Sequence, residues 1–204
     1  MILVTGGAGY IGSHTVVELI SNGYEVLIVD SLYNSDISVL DAIEKVSGVR
    51  VAFEKIDLRD KSALLALASK YEITSVIHFA AFKAVKESKE NPLKYYENNI
   101  LGLVNILYLM KECACKQLIF SSSCTVYGEV DKVPVDEHFP IQKPFSPYGN
   151  TKKICEEIIE DCVVHFYLLG AERNMSHFHI TVEDRKNIEY GVELIEGHNS
   201  SSIF

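Results

Sequence analysis

An apolar run, Ile2, Leu3 and Val4, leads straight into Gly6, Gly9 and Gly12, and helical periodicity in Ile11, Val16, Val17, Leu19 and Ile20 follows at once. This start demands a short buried strand that bends sharply into a helix. Glycines at three-residue spacing allow the bend and let backbone N–H groups approach a diphosphate closely, while the helix N-terminus adds partial positive charge. The next apolar run, Glu25 to Val29, ends in Asp30, 18 residues after Gly12. A carboxylate at that point accepts from both hydroxyls of an adenosine ribose. Strand, glycines, helix and acid in register therefore predict a dinucleotide site. No arginine occurs from Ser31 to Ser35 to receive a 2′-phosphate, so NAD is expected in preference to NADP.

Strands and helices continue to alternate. A polar turn at Asn34 and Ser35 precedes a helix through Leu40, Ile43 and Val46, and a strand from Val49 to Ile56 stops at Asp57-Leu58. Asp57 is placed to accept from an adenine amino group, although an acid at a strand end serves as often to cap a helix. A helix with Leu64, Leu65, Leu67 and Ala68 leads to a strand from Ser75 to Phe79. A long helix from Pro92 to Lys111 then turns Leu101, Val104, Leu107 and Leu109 mostly inward, and the fifth strand is Gln117 to Phe120. Five strands with four intervening helices predict an α/β fold, a doubly wound parallel sheet of the Rossmann kind, with its ligand site at the carboxyl ends of the strands. Val163 to Leu169 offers a further strand.

Downstream of the fifth strand come SSSCTVYG and SPYGNTK, which contain Ser123, Tyr148 and Lys152. Tyr148 and Lys152 are four apart and share a face if helical. A phenol with a pKa near ~10 is a poor base at neutral pH, and a neighbouring ammonium favours the phenolate. The Ser123 hydroxyl can donate or accept toward the same substrate oxygen. Tyr-x-x-x-Lys spacing is common on helices; the dinucleotide loop upstream gives it weight as a proton-transfer set for redox chemistry at an alcohol carbon.

Composition narrows the partners. The formal charge of −9, with no basic stripe, argues against nucleic acid. No apolar run approaches the ~20 residues of a membrane span, and the apolar N-terminus is too short for a signal peptide or anchor. Five cysteines without a repeating frame fit a reducing compartment, so a cytoplasmic location is expected. Cys113 and Cys115 read as helix-end thiols, and Cys124 lines the site with no histidine to activate it. His177 and His179 flank Phe178 without an obvious third ligand, so no metal is expected.

The segments TGGAGYIGSH, HFAAFKAVKES, YYENNILG, SSSCTVYGE and SPYGNTK occur in the order and close to the spacing of one family. On them, residues 1 to about 162 resemble the UDP-glucose 4-epimerases (UDP-galactose 4-epimerases), which are extended short-chain dehydrogenases/reductases. Related dehydratases usually carry an acidic pair where this chain has Cys124-Thr125-Val126-Tyr127, which favours an epimerase. The resemblance implies cofactor contacts at Gly6, Gly9, Tyr10, Ile11, Gly12, Asp30, Asn34, Ser35, Asp57, Leu58, Phe79, Ala80, Ala81, Lys83 and Asn98. It implies a catalytic trio of Ser123, Tyr148 and Lys152, with Tyr148 and Lys152 also touching the cofactor. Ser31, Ala81 and Lys86 depart from the family's usual asparagine, glycine and glycine. The implied reaction interconverts UDP-glucose and UDP-galactose, in galactose metabolism, through a 4-keto sugar with tightly bound NAD. A UDP-sugar is the implied partner, and a homodimer is compatible with the resemblance.

The likeness stops near Cys162, where the family continues into a sixth strand and a substrate domain. Residues 1–162 are expected to form the NAD-binding domain, and residues 163–204 a divergent tail in place of the substrate domain. That tail has Arg173, Arg185 and Lys186 against Glu172, Glu183, Asp184, Glu189, Glu193 and Glu196, a balance ill suited to a diphosphate. This short form is therefore expected to be weakly active or inactive. The alternatives are a non-catalytic NAD-binding module, or another NAD-dependent sugar-nucleotide epimerase or dehydratase.

Overall fold

The structure is a computed structural model that describes residues 1–130, 134–135, 139–162 and the backbone of 165–169. All the elements below lie in one compact unit, Met1–Arg173. In chain order they are β1 (Ile2–Thr5), α1 (Tyr10–Ser21), β2 (Val26–Asp30), α2 (Ser38–Ser47), β3 (Ala52–Lys55), α3 (Lys61–Lys70) and β4 (Ser75–His78). There follow α4 (Val85–Glu90), α5 (Pro92–Tyr96), a π-helical turn (Glu97–Leu101), α6 (Gly102–Glu112), β5 (Gln117–Ser121), a 3₁₀ turn (Cys124–Tyr127), α7 (Pro147–Cys162) and β6 (His165–Leu169).

The sheet runs β3-β2-β1-β4-β5-β6 with every pairing parallel. Helices cover a parallel sheet on both faces, so its strands are apolar throughout rather than alternating. Accordingly Leu3, Val4, Leu27, Ile28, Val76 and Leu118 are all sealed from solvent, each contributing about 1.5–3 kcal/mol by burial. On one face Val16 and Leu19 of α1 and Leu40 and Ile43 of α2 close over Val4 and Ile28. Val46, expected on the buried stripe of α2, is exposed, one residue before the helix ends and the chain turns at Gly48. The chain leaves β1 toward β3, then crosses to β4 on the other side of β1. This reversal opens a crevice at the carboxyl ends of β1 and β4, where ligands of such sheets bind. β6 forms within the stretch expected to supply a further strand and extends the sheet beside β5.

The single long helix expected from Pro92 to Lys111 is interrupted by the π turn. One extra residue there advances the buried face by about 100°. The inward residues of α6 are Leu103, Asn105, Ile106, Leu109 and Met110, whereas Leu101 is exposed and Val104 and Leu107 are only half-buried. Asn99, 3% exposed, lies on the π turn. Its amide accepts from Phe82 N (2.9 Å) and donates to Phe82 O (3.0 Å) and Thr151 Oγ1 (3.0 Å), so a buried polar side chain ties the exit of β4 to α7.

Candidate active site

The glycines leave no room for side chains. Gly6 adopts φ +70°, and a Cβ there would stand 2.8 Å from Ala80 N; a Cβ on Gly12 would stand 2.3 Å from Gly6 O. The first contact closes the turn against the exit of β4, and the second seats α1 on the turn. Gly9 precedes α1 without any side-chain cap, and the first turn contains no acid. The N–H groups of this first turn lie at the positive end of the helix, just beyond the carboxyl end of β1. Tyr10 and Ile11 lie beside it, exposed.

Asp30 ends β2 and is bound into the same loop. Its Oδ2 accepts from Ala8 N (3.1 Å), and its Oδ1 accepts from Leu32 N (2.9 Å) and Ser35 Oγ (3.0 Å). These use three of the roughly four acceptor positions of a carboxylate, and the Ser35 hydroxyl can rotate away to release another. Asn34 is exposed on the same turn.

Of the two roles open to Asp57, capping falls instead to Asp60, whose Oδ1 accepts from Ala63 N (3.0 Å) at the start of α3. Asp57 is bound by the Arg59 guanidinium, at 2.6 Å from Nη2, and by Arg59 N at 2.9 Å. Those side-chain bonds hold its carboxyl below the usual range. Arg59 lies within electrostatic reach of Tyr33, on the turn after Asp30, a proximity that a scan of Ser31 to Ser35 misses. With its guanidinium on Asp57, it is committed elsewhere than to a 2′-phosphate. Leu58 offers its carbonyl to Asn105 Nδ2 (2.8 Å).

At the exit of β4, Phe79 N donates to Thr5 O (3.1 Å) and Ala80 N to Thr5 Oγ1 (3.4 Å), which brings both against Gly6. Ala81 is half-buried and Lys83 exposed as the chain leaves. Asn98, on the π turn, donates to Asn99 Oδ1 (3.0 Å). Sequence reasoning missed Asn99 itself, which holds this edge together; the Asn98-Asn99 pair, polar within the helical stretch from Pro92 to Lys111, was the available signal.

The proton-transfer residues meet at the end of β5. Ser123 precedes the 3₁₀ turn, where its Oγ accepts from Thr125 N (3.3 Å) and Thr125 Oγ1 (2.9 Å), and its hydroxyl is near enough to Tyr148 to favour the phenolate. Tyr148 stands in the first turn of α7. One turn on, Lys152 is 3% exposed, donates from Nζ to Ser121 O (2.6 Å) and lies 4.7 Å over the Phe120 ring. Burial pulls Lys152 down to about 8. Burial also raises Tyr148, against a smaller lowering by the Ser123 hydroxyl. In this arrangement burial dominates both groups, and Ser123 is the neighbour that favours the phenolate. Both groups leave water, and the ammonium is directed to a backbone carbonyl. Removing the Ser123 hydroxyl takes away the influence that favours phenolate. Ser123→Ala is therefore expected to move the ionisation of Tyr148 to higher pH, followed by NMR of ring-labelled tyrosine; an unmoved or lower midpoint would contradict the pairing.

His78 lies nearby but is no alternative base. Its Nδ1 is 2.7 Å from Thr5 Oγ1, and burial, aided by the Lys152 charge, pushes it down to about 3, so it is neutral and enclosed. Cys124 is exposed beside Ser123. Cys113 follows α6 directly and Cys115 is buried behind it, as expected of helix-end thiols. His177 and His179 lie outside the described residues. Among the described residues no helix is long and apolar enough to cross a membrane.

A six-stranded Rossmann sheet with a glycine turn at its switch point and a Ser/Tyr/Lys set at the next strand end defines a nucleotide-binding α/β protein of the short-chain dehydrogenase/reductase kind. The chain belongs to the family described as GDP-mannose 4,6 dehydratase, whose model matches residues 3–177. The resemblance to UDP-glucose 4-epimerases is borne out. UDP-glucose 4-epimerase 2 of Arabidopsis thaliana is 49% identical over 163 residues, which is 78% of this chain and 46% of that protein. The UDP-glucose 4-epimerase of Dictyostelium discoideum is 49% identical over 160 residues, with the same coverage. The chain thus spans about half the length of these two relatives and about a quarter of the longer bifunctional proteins it also matches. Among solved structures, the UDP-glucose 4-epimerase of Stenotrophomonas maltophila, with bound NAD and formylated UDP-arabinopyranose, superposes with a TM-score of 0.79 at 37% identity, covering 94% of this chain and 62% of that one. That of Bifidobacterium longum, in complex with NAD+ and UDP, gives 0.77 at 41% identity, covering 78% and 48%.

Proposed function

We propose that this chain carries the NAD-binding and proton-transfer half of a UDP-glucose 4-epimerase, an isomerase that interconverts UDP-glucose and UDP-galactose. The observation that carries the reading is the placement of Ser123, Tyr148 and Lys152 at the end of β5, one strand from a crevice where Gly6 and Gly12 exclude any side chain. The residues present fit NAD. The glycine turn and the start of α1 accommodate a diphosphate, Asp30 with Ser35 the adenosine ribose, and Phe79, Ala80 and Ala81 the wall of the crevice. Gly9, Tyr10, Ile11, Asn34, Asp57, Leu58, Lys83 and Asn98 complete the proposed contacts.

Bound NAD would supply the acceptor for the hydride of carbon 4 of the sugar and the donor for its return to the opposite face. Tyr148 Oη removes the proton of the 4-hydroxyl as hydride departs and gives it back on return. Ser123 Oγ donates to the oxygen as it becomes a carbonyl. Lys152, already buried beside the strand end, supplies positive charge and a donor to the cofactor ribose. Asp30 selects NAD by meeting a 2′-phosphate with like charge, while Arg59 is held by Asp57.

Calorimetry tests the cofactor part: NAD should bind more tightly than NADP, and equal affinities would refute the selectivity. Asp30→Ala should weaken NAD binding by more than ~1 kcal/mol, the scale of a lost hydrogen bond to a charged group; a smaller loss would leave Asp30 as a loop anchor only. The low turnover proposed for this form is supported by the net negative residues 163–204 and is read by a coupled UDP-galactose assay. Five free thiols support a cytoplasmic location. The same acidic balance favours, as second reading, a module that binds NAD without UDP-sugar, which a UDP-glucose titration distinguishes.

A further inference from the structure

The mechanism above leaves one buried acidic side chain unused. Glu156, 1% exposed, follows Lys152 by one turn on the inner face of α7. It accepts a hydrogen bond at Oε1 from Ser122 Oγ, and it acts on Lys152 as a neighbouring charge. Ser122 sits between Ser121, whose carbonyl receives the Lys152 ammonium, and Ser123, whose hydroxyl favours the Tyr148 phenolate. Two links, Lys152 to Ser121 and Ser122 to Glu156, thus join consecutive serines to consecutive turns of one helix. Charged groups sealed from water are costly unless they compensate each other, and loss of one leaves the other exposed to that cost.

We propose that Glu156 is a positioning residue for the Ser123, Tyr148 and Lys152 set: its carboxylate supplies the counter-charge for the buried Lys152 ammonium and, through Ser122, fastens the serine segment to α7. The four-residue spacing on α7, the shared burial and the Ser122 bond carry the proposal; only its use in catalysis rests on the function proposed above. The groups around the ammonium leave Glu156 as the balancing anion. On α7 these are Cys155 and Glu156, with Tyr148 one turn before, from β5 the Ser121 carbonyl and the Phe120 ring, and from β4 His78. His78 is held neutral by burial. Burial pulls Lys152 down to about 8, opposed by Cys155 and then Glu156, but Cys155 is itself pushed up to about 12 and is an uncharged thiol at neutral pH. Tyr148 is raised and likewise uncharged there.

The test is NMR titration of the 204-residue chain labelled in its lysine side chains, with the Lys152 signal assigned by its absence in Lys152→Met. Glu156→Gln retains size and an acceptor for Ser122 but loses the charge. Its Lys152 midpoint should fall by about one pH unit, the lower end of the effect of a close opposite charge. Ser122→Ala retains the charge but loses the anchor, and should move the midpoint the same way by a smaller amount. A Lys152 midpoint in Glu156→Gln equal to that of the parent overturns the proposal. If that variant does not fold, the Ser122→Ala midpoint decides in the same sense. In parallel, the pH above which NAD affinity falls should move down with the Lys152 midpoint. A parent chain that binds no NAD at any pH refutes the proposed function, while the lysine titration still decides the role of Glu156.

Discussion

Tyr148→Phe is expected to lower turnover of UDP-galactose by about 100 to 10,000-fold, the range of a positioned general base, while NAD affinity stays near its parent value. The measurement is best made in this chain joined to the C-terminal half of a UDP-glucose 4-epimerase, so that the sugar nucleotide is held. Phenylalanine keeps the ring and removes only the hydroxyl oxygen, so a large fall in rate with intact cofactor binding isolates the proton transfer. Because burial raises Tyr148 and the Ser123 hydroxyl opposes that rise, the parent rate should increase with pH through the phenol's ionisation. A loss of less than tenfold, or a pH profile unchanged by the substitution, would remove Tyr148 from the role of base.

Among the described glycines, Gly12→Ala should be the most damaging substitution. The added Cβ would lie 2.3 Å from Gly6 O and 2.8 Å from Gly7 Cα, both backbone atoms of the turn that the dinucleotide needs, so either α1 or the turn must move. Overpacking of this kind costs about 1–3 kcal/mol, and an altered turn should weaken NAD at least about tenfold, since it displaces several N–H donors together. Gly23 makes the internal control. It also has positive φ, +81°, but nothing lies within 4 Å of its added Cβ, so Gly23→Ala should cost only the ~1–2 kcal/mol of a left-handed alanine and leave NAD affinity unchanged. Urea denaturation and calorimetry on the two variants separate the effects. Parent-like NAD affinity in Gly12→Ala would mean that the glycine turn is not the cofactor cradle.

Much of this was legible in the linear sequence because it depends on local rules. The apolar runs that became β1, β2, β4 and β5 are short and bounded by turn residues. The glycines declare a bend whose reason, contact with Gly6 O and Ala80 N, is steric and backbone-based. Asp30 at the end of β2 and the four-residue spacing of Tyr148 and Lys152 follow from strand length and helical pitch. The motifs then pointed to the family over the same residues that the relatives match.

What local rules could not supply is which partner each polar side chain takes once water is removed. An aspartate at a strand end looks the same whether it caps a helix or binds an arginine, and only the turn after β3 commits Asp57 to Arg59 and leaves capping to Asp60. Asn99 carries no periodic signal, yet its three hydrogen bonds across Phe82 and Thr151 accompany the π turn that rotates α6 and exposes Leu101. Tyr148 and Lys152 were recognisable as a pair, but their ionisation is governed by burial and by the Ser121 carbonyl and Ser123 hydroxyl brought from β5. The sequence by itself determined the order of strands and helices, the glycine turn and the identity of the reactive groups, because propensity, periodicity and steric exclusion act between near neighbours. The tertiary structure alone decided the pairings and proton affinities of those groups, because desolvation and hydrogen-bond geometry depend on which distant segments the sheet brings to its edge.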